Sequence, residues 1–158
     1  MRKGVGMKIL FVVDLQTEFA DDDGRYEDIL KFVQAAMRKK TYDKIIATKC
    51  LNRKNSNFVR YSNWDELIGN AAELPFEADV VIEKISYGLV DYSMLPKEAE
   101  IHVIGYNTGA CVLKVALDLF DRNYNFKVLS EYCYSTGGSE HHKRGLWTLK
   151  NLLENAVQ

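Results

Sequence analysis

The sequence is poor in the features that mark several classes of protein. Its 158 residues include only three cysteines and two prolines. An odd number of irregularly spaced cysteines does not fit a disulfide-stapled secreted domain, so we expect a cytoplasmic protein. The 21 basic and 22 acidic residues give a net charge of -1, which offers no electrostatic basis for binding nucleic acid.

Long apolar segments are also missing. No apolar run approaches the roughly 20 residues that a membrane-spanning helix needs, so we expect no membrane partner. The basic opening is followed by a short apolar run that stops at Asp14, which argues against a secretory signal, and Met7 is an alternative start to Met1. No repeat, low-complexity tract or linker interrupts residues 1–158, which we predict to form one domain.

Strand and helix patterns alternate along the chain. Continuous apolar runs, such as KILFVV at 8–13 and Val80 to Ile82, are typical of strands buried on both faces. Repeated β-α units with short connections predict an α/β protein of three layers, α/β/α, with a Rossmann-like and mainly parallel sheet. The pattern predicts strands at 8–13, 44–49, 79–83, 100–104 and 126–130, and helices at 26–39, near 63–69, 110–122 and 139–155, with a helical turn near 91–95.

Reactive side chains stand at the ends of three predicted strands. Asp14 follows the first strand, Lys84 the third, and Cys111 comes shortly after the fourth. The carboxyl ends of strands in an open α/β sheet form the edge where ligands bind. We therefore predict a site at this edge, although charges after strands also occur simply where a chain returns to solvent.

Cys111 is predicted to lie at or near the start of a helix. The preceding strand breaks at Gly105, and apolar residues at 112, 115, 116, 119 and 120 form the stripe of a packed helix. Helical N–H groups and the helix dipole stabilise a thiolate, which would lower the pKa of Cys111 below the roughly 8.5 of a free thiol. The sequence thus predicts a nucleophile, against the alternative that Cys111 only packs in the core.

Three motifs, in order, resemble the isochorismatase-like cysteine hydrolases, a family that includes nicotinamidases and related amidases. They are D-x-Q-x-x-F at Asp14, Gln16 and Phe19, a lysine after the third strand at Lys84, and G-x-x-T-x-x-C-V at Gly105, Thr108, Cys111 and Val112. The likeness covers nearly all the chain from Met7 onward. It implies the sheet order 3-2-1-4-5.

The resemblance implies an Asp14–Lys84–Cys111 triad. Cys111 would attack an amide carbonyl to form a thioester, which water would then hydrolyse. Asp14 would move the protons, and Lys84 would hold Asp14 and stabilise the thiolate. Backbone N–H groups of Asn107 and Cys111 would form the oxyanion hole, next to a cis peptide bond between Tyr106 and Asn107.

The resemblance also suggests which residues meet a small-molecule substrate. These are Gln16, Phe19, Tyr87 and Tyr106, and Tyr92 is a further candidate because it shares a loop with Tyr87. The chain is short for the family between its second and third strands. That shortness predicts a more open pocket, or one completed by a second subunit of a homo-oligomer.

One departure from the family concerns metal. Nicotinamidases follow their second strand with an Asp-x-His motif and a further histidine, whereas the corresponding positions here are Cys50, Asn52 and Phe58. Asparagine is a poor ligand for a transition metal and phenylalanine is none. We therefore predict no metal site and no cofactor, and do not expect nicotinamide as the substrate. Cys50 stays open as a soft ligand or a second thiol.

The leading hypothesis is a cysteine hydrolase of a small amide. A catalytically silent or regulatory binding module of the same fold is one alternative, and a flavodoxin-like nucleotide binder is another. The glycines near Cys111 lack the G-x-G-x-x-G spacing of a dinucleotide loop. We predict structural roles for three further residues. Cys133 is expected to pack in the core, and His141 and His142 are expected to be solvated or to cap a helix.

Overall fold

The computed structural model describes residues 6–158 and shows a five-stranded parallel sheet in the order β3-β2-β1-β4-β5. The predicted α/β fold and the predicted sheet order are both confirmed. The strands are β1 (Lys8–Val13), β2 (Lys44–Cys50), β3 (Val80–Lys84), β4 (Glu100–Tyr106) and β5 (Asn125–Tyr134).

Helices cover both faces of this sheet. They are α1 (Arg25–Lys39) on one face, and α3 (Leu113–Asp121) and α4 (Ser139–Leu153) on the other. A short helix, α2 (Asn57–Ser62), lies between β2 and β3 in the chain. Leu10 and Val12 of β1 pack in a core cluster with α1, whereas Phe11 and Val13 pack in a second cluster with α3 and α4. The continuous apolar run of β1 follows from this central position, since each such side chain contributes about 1.5–3 kcal/mol when fully buried.

Strand β3 departs from the sequence prediction. It lies at the edge of the sheet, its burial alternates along the strand, and Val81 is 45% exposed. The prediction that Val80 to Ile82 is buried on both faces is therefore wrong. A short apolar run does not distinguish an edge strand from a central one.

The segment between β2 and β3 also differs from the prediction of a helix near 63–69. The helix there is α2, which begins after Ser56 because the Ser56 hydroxyl accepts a hydrogen bond from the N–H of Val59 at 3.2 Å. It ends at Asn63, whose φ of 52° is left-handed. The predicted helical turn near 91–95 is a tight turn, closed by a hydrogen bond from Leu95 N–H to the Tyr92 carbonyl.

Close contact between β1 and β4 brings the ends of these strands together. Gly105 of β4 has a φ of +120°, and a Cβ atom there would lie 2.0 Å from the carbonyl oxygen of Val13. Only glycine fits this position. Among residues 6–158, no helix combines the length and apolar character needed to cross a membrane.

Candidate active site

The candidate site lies at the carboxyl edge of the sheet. Asp14 directly follows β1, Lys84 is the last residue of β3, and Cys111 lies in a π-helical turn, Thr108–Val112, that precedes α3. Parallel strands bring their carboxyl ends to one edge, so residues far apart in sequence meet there. The structure brings all three side chains together.

Lys84 connects the other two groups. Its ammonium donates to the Asp14 carboxylate at 2.8 Å and to the Ser86 carbonyl at 2.9 Å, and lies 3.3 Å from the Cys111 sulfur. The second carboxylate oxygen of Asp14 accepts a bond from the Thr48 hydroxyl at 2.6 Å. Asp14 has a left-handed φ of 50°, and its own N–H donates to the same hydroxyl. The carboxylate is therefore held from both sides.

Opposing effects act on the charge of Lys84. Burial disfavours the ammonium, but attraction from Asp14 and from the neighbouring thiols outweighs burial and raises the pKa of Lys84. The lysine therefore stays protonated beside Asp14 and Cys111. A fixed positive charge at this position favours the thiolate form of a neighbouring cysteine.

A second thiol shares the site. Cys50, the last residue of β2, is buried, and its sulfur lies within 4.8 Å of both the Cys111 sulfur and an Asp14 carboxylate oxygen. Hydrogen bonding from Cys111 lowers the pKa of Cys50, whereas the same bond and burial raise the pKa of Cys111 well above its usual value. Once one of the two thiols has lost its proton beside Lys84, removing the proton of the other is unfavourable.

This thiol pair corrects the sequence prediction for Cys111. A helix start was expected to lower the pKa of Cys111, but its partner thiol and its burial act in the opposite direction. Cys50 was left open as a second thiol, and the structure places it against the nucleophile candidate. Its position as the last residue of a strand was the signal in the sequence.

Gln16 lies beneath the cavity rather than in its wall. Its side-chain amide donates to the Cys50 carbonyl at 3.0 Å and accepts from the Cys50 N–H at 2.8 Å. It is fully buried. The structure therefore places Gln16 as a support for Cys50, away from the substrate-binding position that the resemblance implies.

A cavity of about 620 Å³ opens above the two thiols. Both thiols and Asn107 border it, and so do several aromatic residues: Phe19, Phe58, Trp64, Tyr87 and Tyr106. Phe19, Tyr87 and Tyr106, which the resemblance suggests as substrate contacts, thus line the cavity, whereas Tyr92 is buried and its hydroxyl donates to Asp118. A larger depression of about 950 Å³ beside β3 holds none of the reactive side chains.

The turn that carries Cys111 is anchored on both sides. The peptide bond between Tyr106 and Asn107 is cis, as the resemblance implies. The side chain of Asn107 donates to the Thr136 hydroxyl at 3.1 Å and accepts from the Thr136 N–H at 2.9 Å. These bonds tie the start of the turn to the segment that follows β5.

Helix α4 packs directly against the same turn. A Cβ atom on Gly145 would lie 2.4 Å from the backbone nitrogen of Gly109, so the two backbones touch. His142 of α4 is hydrogen bonded to the Thr108 hydroxyl at 2.7 Å, and His141 borders the cavity. His141 is exposed, as the prediction of solvation expects, whereas His142 is half-buried against Thr108, and no side chain caps α4.

The remaining cysteine, Cys133, is fully buried in the core, as predicted.

The whole chain can be compared with known proteins. The isochorismatase domain family matches residues 8–157. The chain belongs to the isochorismatase family. No curated protein sequence matches it.

Several solved structures share the fold of this family member. An isochorismatase-like hydrolase from Alkaliphilus metalliredigens has a TM-score of 0.71 at 16% identity, covering 92% of this chain and 91% of that one. A nicotinamidase/pyrazinamidase from Bacillus subtilis has a TM-score of 0.69 at 18% identity, and the match covers 96% of this chain and 98% of that one. The Staphylococcus aureus nicotinamidase has a TM-score of 0.65 at 21% identity, and the match covers 98% of this chain and 100% of that one.

The positions that the resemblance assigns to metal ligands do not suit a metal here. Asn52 donates to the carbonyls of Trp64 and Glu66 at 3.0 and 2.9 Å, and its oxygen accepts from Arg53 N–H and the Ser56 hydroxyl at 2.9 and 2.7 Å. Its amide is fully used in holding the loop.

A second donor set fits a metal no better. Asp14, Cys50 and Cys111 place three donor atoms within 4.8 Å of one another. The ammonium of Lys84, however, already forms hydrogen bonds with two of these residues. A metal cation would have to displace this buried positive charge.

Proposed function

We propose that the chain is a cysteine hydrolase that cleaves the C–N bond of a small amide through a thioester. Membership of the isochorismatase family supports a hydrolase. The similar structures include proteins named as nicotinamidases, that is, enzymes named for acting on an amide. The proposal assigns Cys111 as nucleophile, Asp14 as acid and base, and Lys84 as their electrostatic partner.

The observation that carries the proposal is the position of one ammonium. Lys84 lies 2.8 Å from the Asp14 carboxylate and 3.3 Å from the Cys111 sulfur. A proton acceptor and a thiol are thereby fixed on either side of a permanent positive charge. This arrangement supports a nucleophile whose base is oriented by a third group, with an Asp14 carboxylate oxygen within 4.8 Å of the Cys111 sulfur.

The reaction follows from these positions. The Cys111 thiol gives its proton to Asp14 as its sulfur attacks the amide carbonyl, and a C–S bond forms. Asp14 then protonates the amine, which leaves as the C–N bond breaks. A water molecule next gives a proton to Asp14 and attacks the thioester carbonyl. The C–S bond breaks, the acid leaves, and Cys111 recovers its proton.

The tetrahedral intermediates of both steps carry a negative oxygen. We assign its stabilisation to the backbone N–H groups of Asn107 and Cys111, since both residues border the cavity. Donors fixed before the reaction stabilise the developing charge without reorganisation. The two-sided anchoring of the turn, by Thr136 and by α4, serves this purpose.

Release of ammonia from a panel of small primary amides and N-carbamoyl compounds tests the proposal. We expect turnover of at least one compound and its loss in Cys111→Ala. Cys133→Ala is the matched control, since Cys133 is a buried thiol that does not border the cavity. Mass spectrometry of the quenched reaction should find the acyl group on Cys111.

Two other outcomes have clear meanings. A folded protein that releases no ammonia from any compound would favour the catalytically silent binding module. Equal activity in Cys111→Ala would remove Cys111 as nucleophile. The flavodoxin-like alternative gains no support, because the family that matches residues 8–157 is the isochorismatase domain.

A further inference from the structure

The cavity above Cys111 has a one-sided charge. Three carboxylate residues border it: Glu18, Asp21 and Glu66. Among the described residues that border it, there is no lysine or arginine, and His141 is the single histidine. A cleft lined by charges of one sign concentrates ligands of the opposite sign.

The one nearby ammonium does not offset this charge. Lys84 lies below the cavity and is buried, and its charge is matched by the Asp14 carboxylate at 2.8 Å. A substrate in the cavity therefore meets no unbalanced positive group. A carboxylate on the substrate would meet repulsion instead.

Aromatic rings that border the cavity provide a second kind of contact for a cation. The ring of Phe58 is edge-on to that of Trp64, with 5.1 Å between centroids, and edge-on to that of Tyr87, with 5.0 Å between centroids. Tyr87 is 43% exposed, and Phe19 and Trp64 are partly exposed. The face of an aromatic ring attracts ammonium groups, most strongly for tryptophan.

Asp21 has an unused acceptor. One of its oxygens accepts from the Tyr106 hydroxyl at 2.7 Å. The other is the only buried side-chain oxygen or nitrogen without a hydrogen-bond partner among residues 6–158. Burial and the nearby Asp23 raise the pKa of Asp21, whereas a positive group bound beside it would act in the opposite direction and favour the ionised form.

We propose that this cavity selects a small amide that carries a positively charged amino or ammonium group, and disfavours neutral and anionic amides. The inference rests on the proposed function for the reaction itself. The charge-bearing end would lie among the carboxylates and rings, with the amide carbonyl at Cys111. A volume of about 620 Å³ is suited to a ligand of this size.

Three amides of matched length test the selectivity directly. These are 3-aminopropanamide, which is cationic, butanamide, which is neutral, and succinamic acid, which is anionic at pH 7. We expect kcat/KM to fall in that order, with the cation preferred over the anion by roughly tenfold or more at low salt. Glu18→Gln with Glu66→Gln should narrow that ratio, whereas Glu77→Gln, which lies away from the cavity, should not.

A second measurement does not depend on turnover. Cys111 is modified with a trimethylammonium-ethyl methanethiosulfonate or with its sulfonatoethyl counterpart, and each rate is divided by that for 2-mercaptoethanol. Peptide mapping separates Cys111 from Cys50. The cationic reagent should react faster, and the preference should shrink at high salt, where a Debye length falls to about 3 Å at 1 M.

The two measurements separate the two proposals. If no amide is hydrolysed but the cationic reagent is preferred, the hydrolase proposal fails and the charge selectivity stands. If amides are hydrolysed without a preference for the cation and both reagents react equally, the selectivity is overturned and the hydrolase stands. Wild-type protein at low and high salt suffices for this decision, should the variants not fold.

Discussion

The ammonium of Lys84 lies 2.8 Å from a carboxylate oxygen of Asp14, and both side chains are buried. A buried pair of charges gains little over apolar residues of the same shape, but removing one partner leaves the other uncompensated. In this protein the pair also contacts the thiol at Cys111. The three groups are therefore expected to respond to mutation as one unit.

A variant in which both members of the ion pair are replaced tests whether the three groups act as one unit. Asp14→Asn removes the proton acceptor and should reduce turnover of an accepted amide by roughly 10²–10⁴-fold. Lys84→Met removes the charge that stabilises the thiolate and should also cause a large loss. The double variant should be little worse than the poorer single one. Losses that multiply would show that Asp14 and Lys84 act independently.

The partner thiol makes a prediction about pH. Hydrogen bonding with Cys50 and the charge of Cys50 both raise the pKa of Cys111, so Cys50→Ala should lower it. Alkylation of Cys111 by iodoacetamide should then begin at lower pH than in the wild type, as followed by peptide mapping. Cys133→Ala is the control and should leave the profile in place. A profile that moves upward in Cys50→Ala would contradict the coupling of the two thiols.

Removal of metal should have no effect on turnover. Asn52 uses its whole amide in hydrogen bonds, and Lys84 occupies the position that a cation would take beside Asp14. Dialysis against a strong chelator should therefore leave kcat unchanged, while a zinc hydrolase treated in parallel should lose activity. Loss of activity that zinc or iron restores would reopen nicotinamide as a substrate.

Gln16 makes a prediction about stability. Gln16→Met would leave the N–H and carbonyl of Cys50 without partners, and each unsatisfied buried group costs about 1–3 kcal/mol. Urea unfolding should show a loss of roughly 2–4 kcal/mol. Gln34→Met, on the partly exposed part of α1, should change stability by about 0.5 kcal/mol or less. Equal effects at the two positions would argue against the support role of Gln16.

The sequence was sufficient to predict the positions of the residues that follow the ends of strands. Asp14 and Lys84 follow apolar runs, and Gly105 ends the run before Cys111, so the alternation of strands and helices placed all three at one edge. The order of the strands required the resemblance. Parallel pairing fixes which end of a strand faces the site, but not which strands are neighbours.

Contacts between distant side chains were beyond the sequence. The two bonds from Gln16 to Cys50 join β2 to the segment after β1, and no local pattern encodes such a pairing. For Cys50 the strand end indicated the edge of the sheet at which it lies, but not that its sulfur is within 4.8 Å of the Cys111 sulfur. For α2 a local signal did exist, because Ser56 precedes its first turn. We nevertheless predicted the helix at later residues, because the apolar pattern favoured them.

The backbone contact between Gly109 and Gly145 has a consequence for biosynthesis. The turn that holds Cys111 leaves the ribosome before α4 has been made, and it lacks the surface against which it packs until Ser139–Leu153 has emerged and docked. A nascent chain that has not yet made α4 therefore carries Cys111 without a finished nucleophile turn. Helix α4 completes the site, so chemistry at Cys111 is confined to chains in which Ser139–Leu153 has already docked.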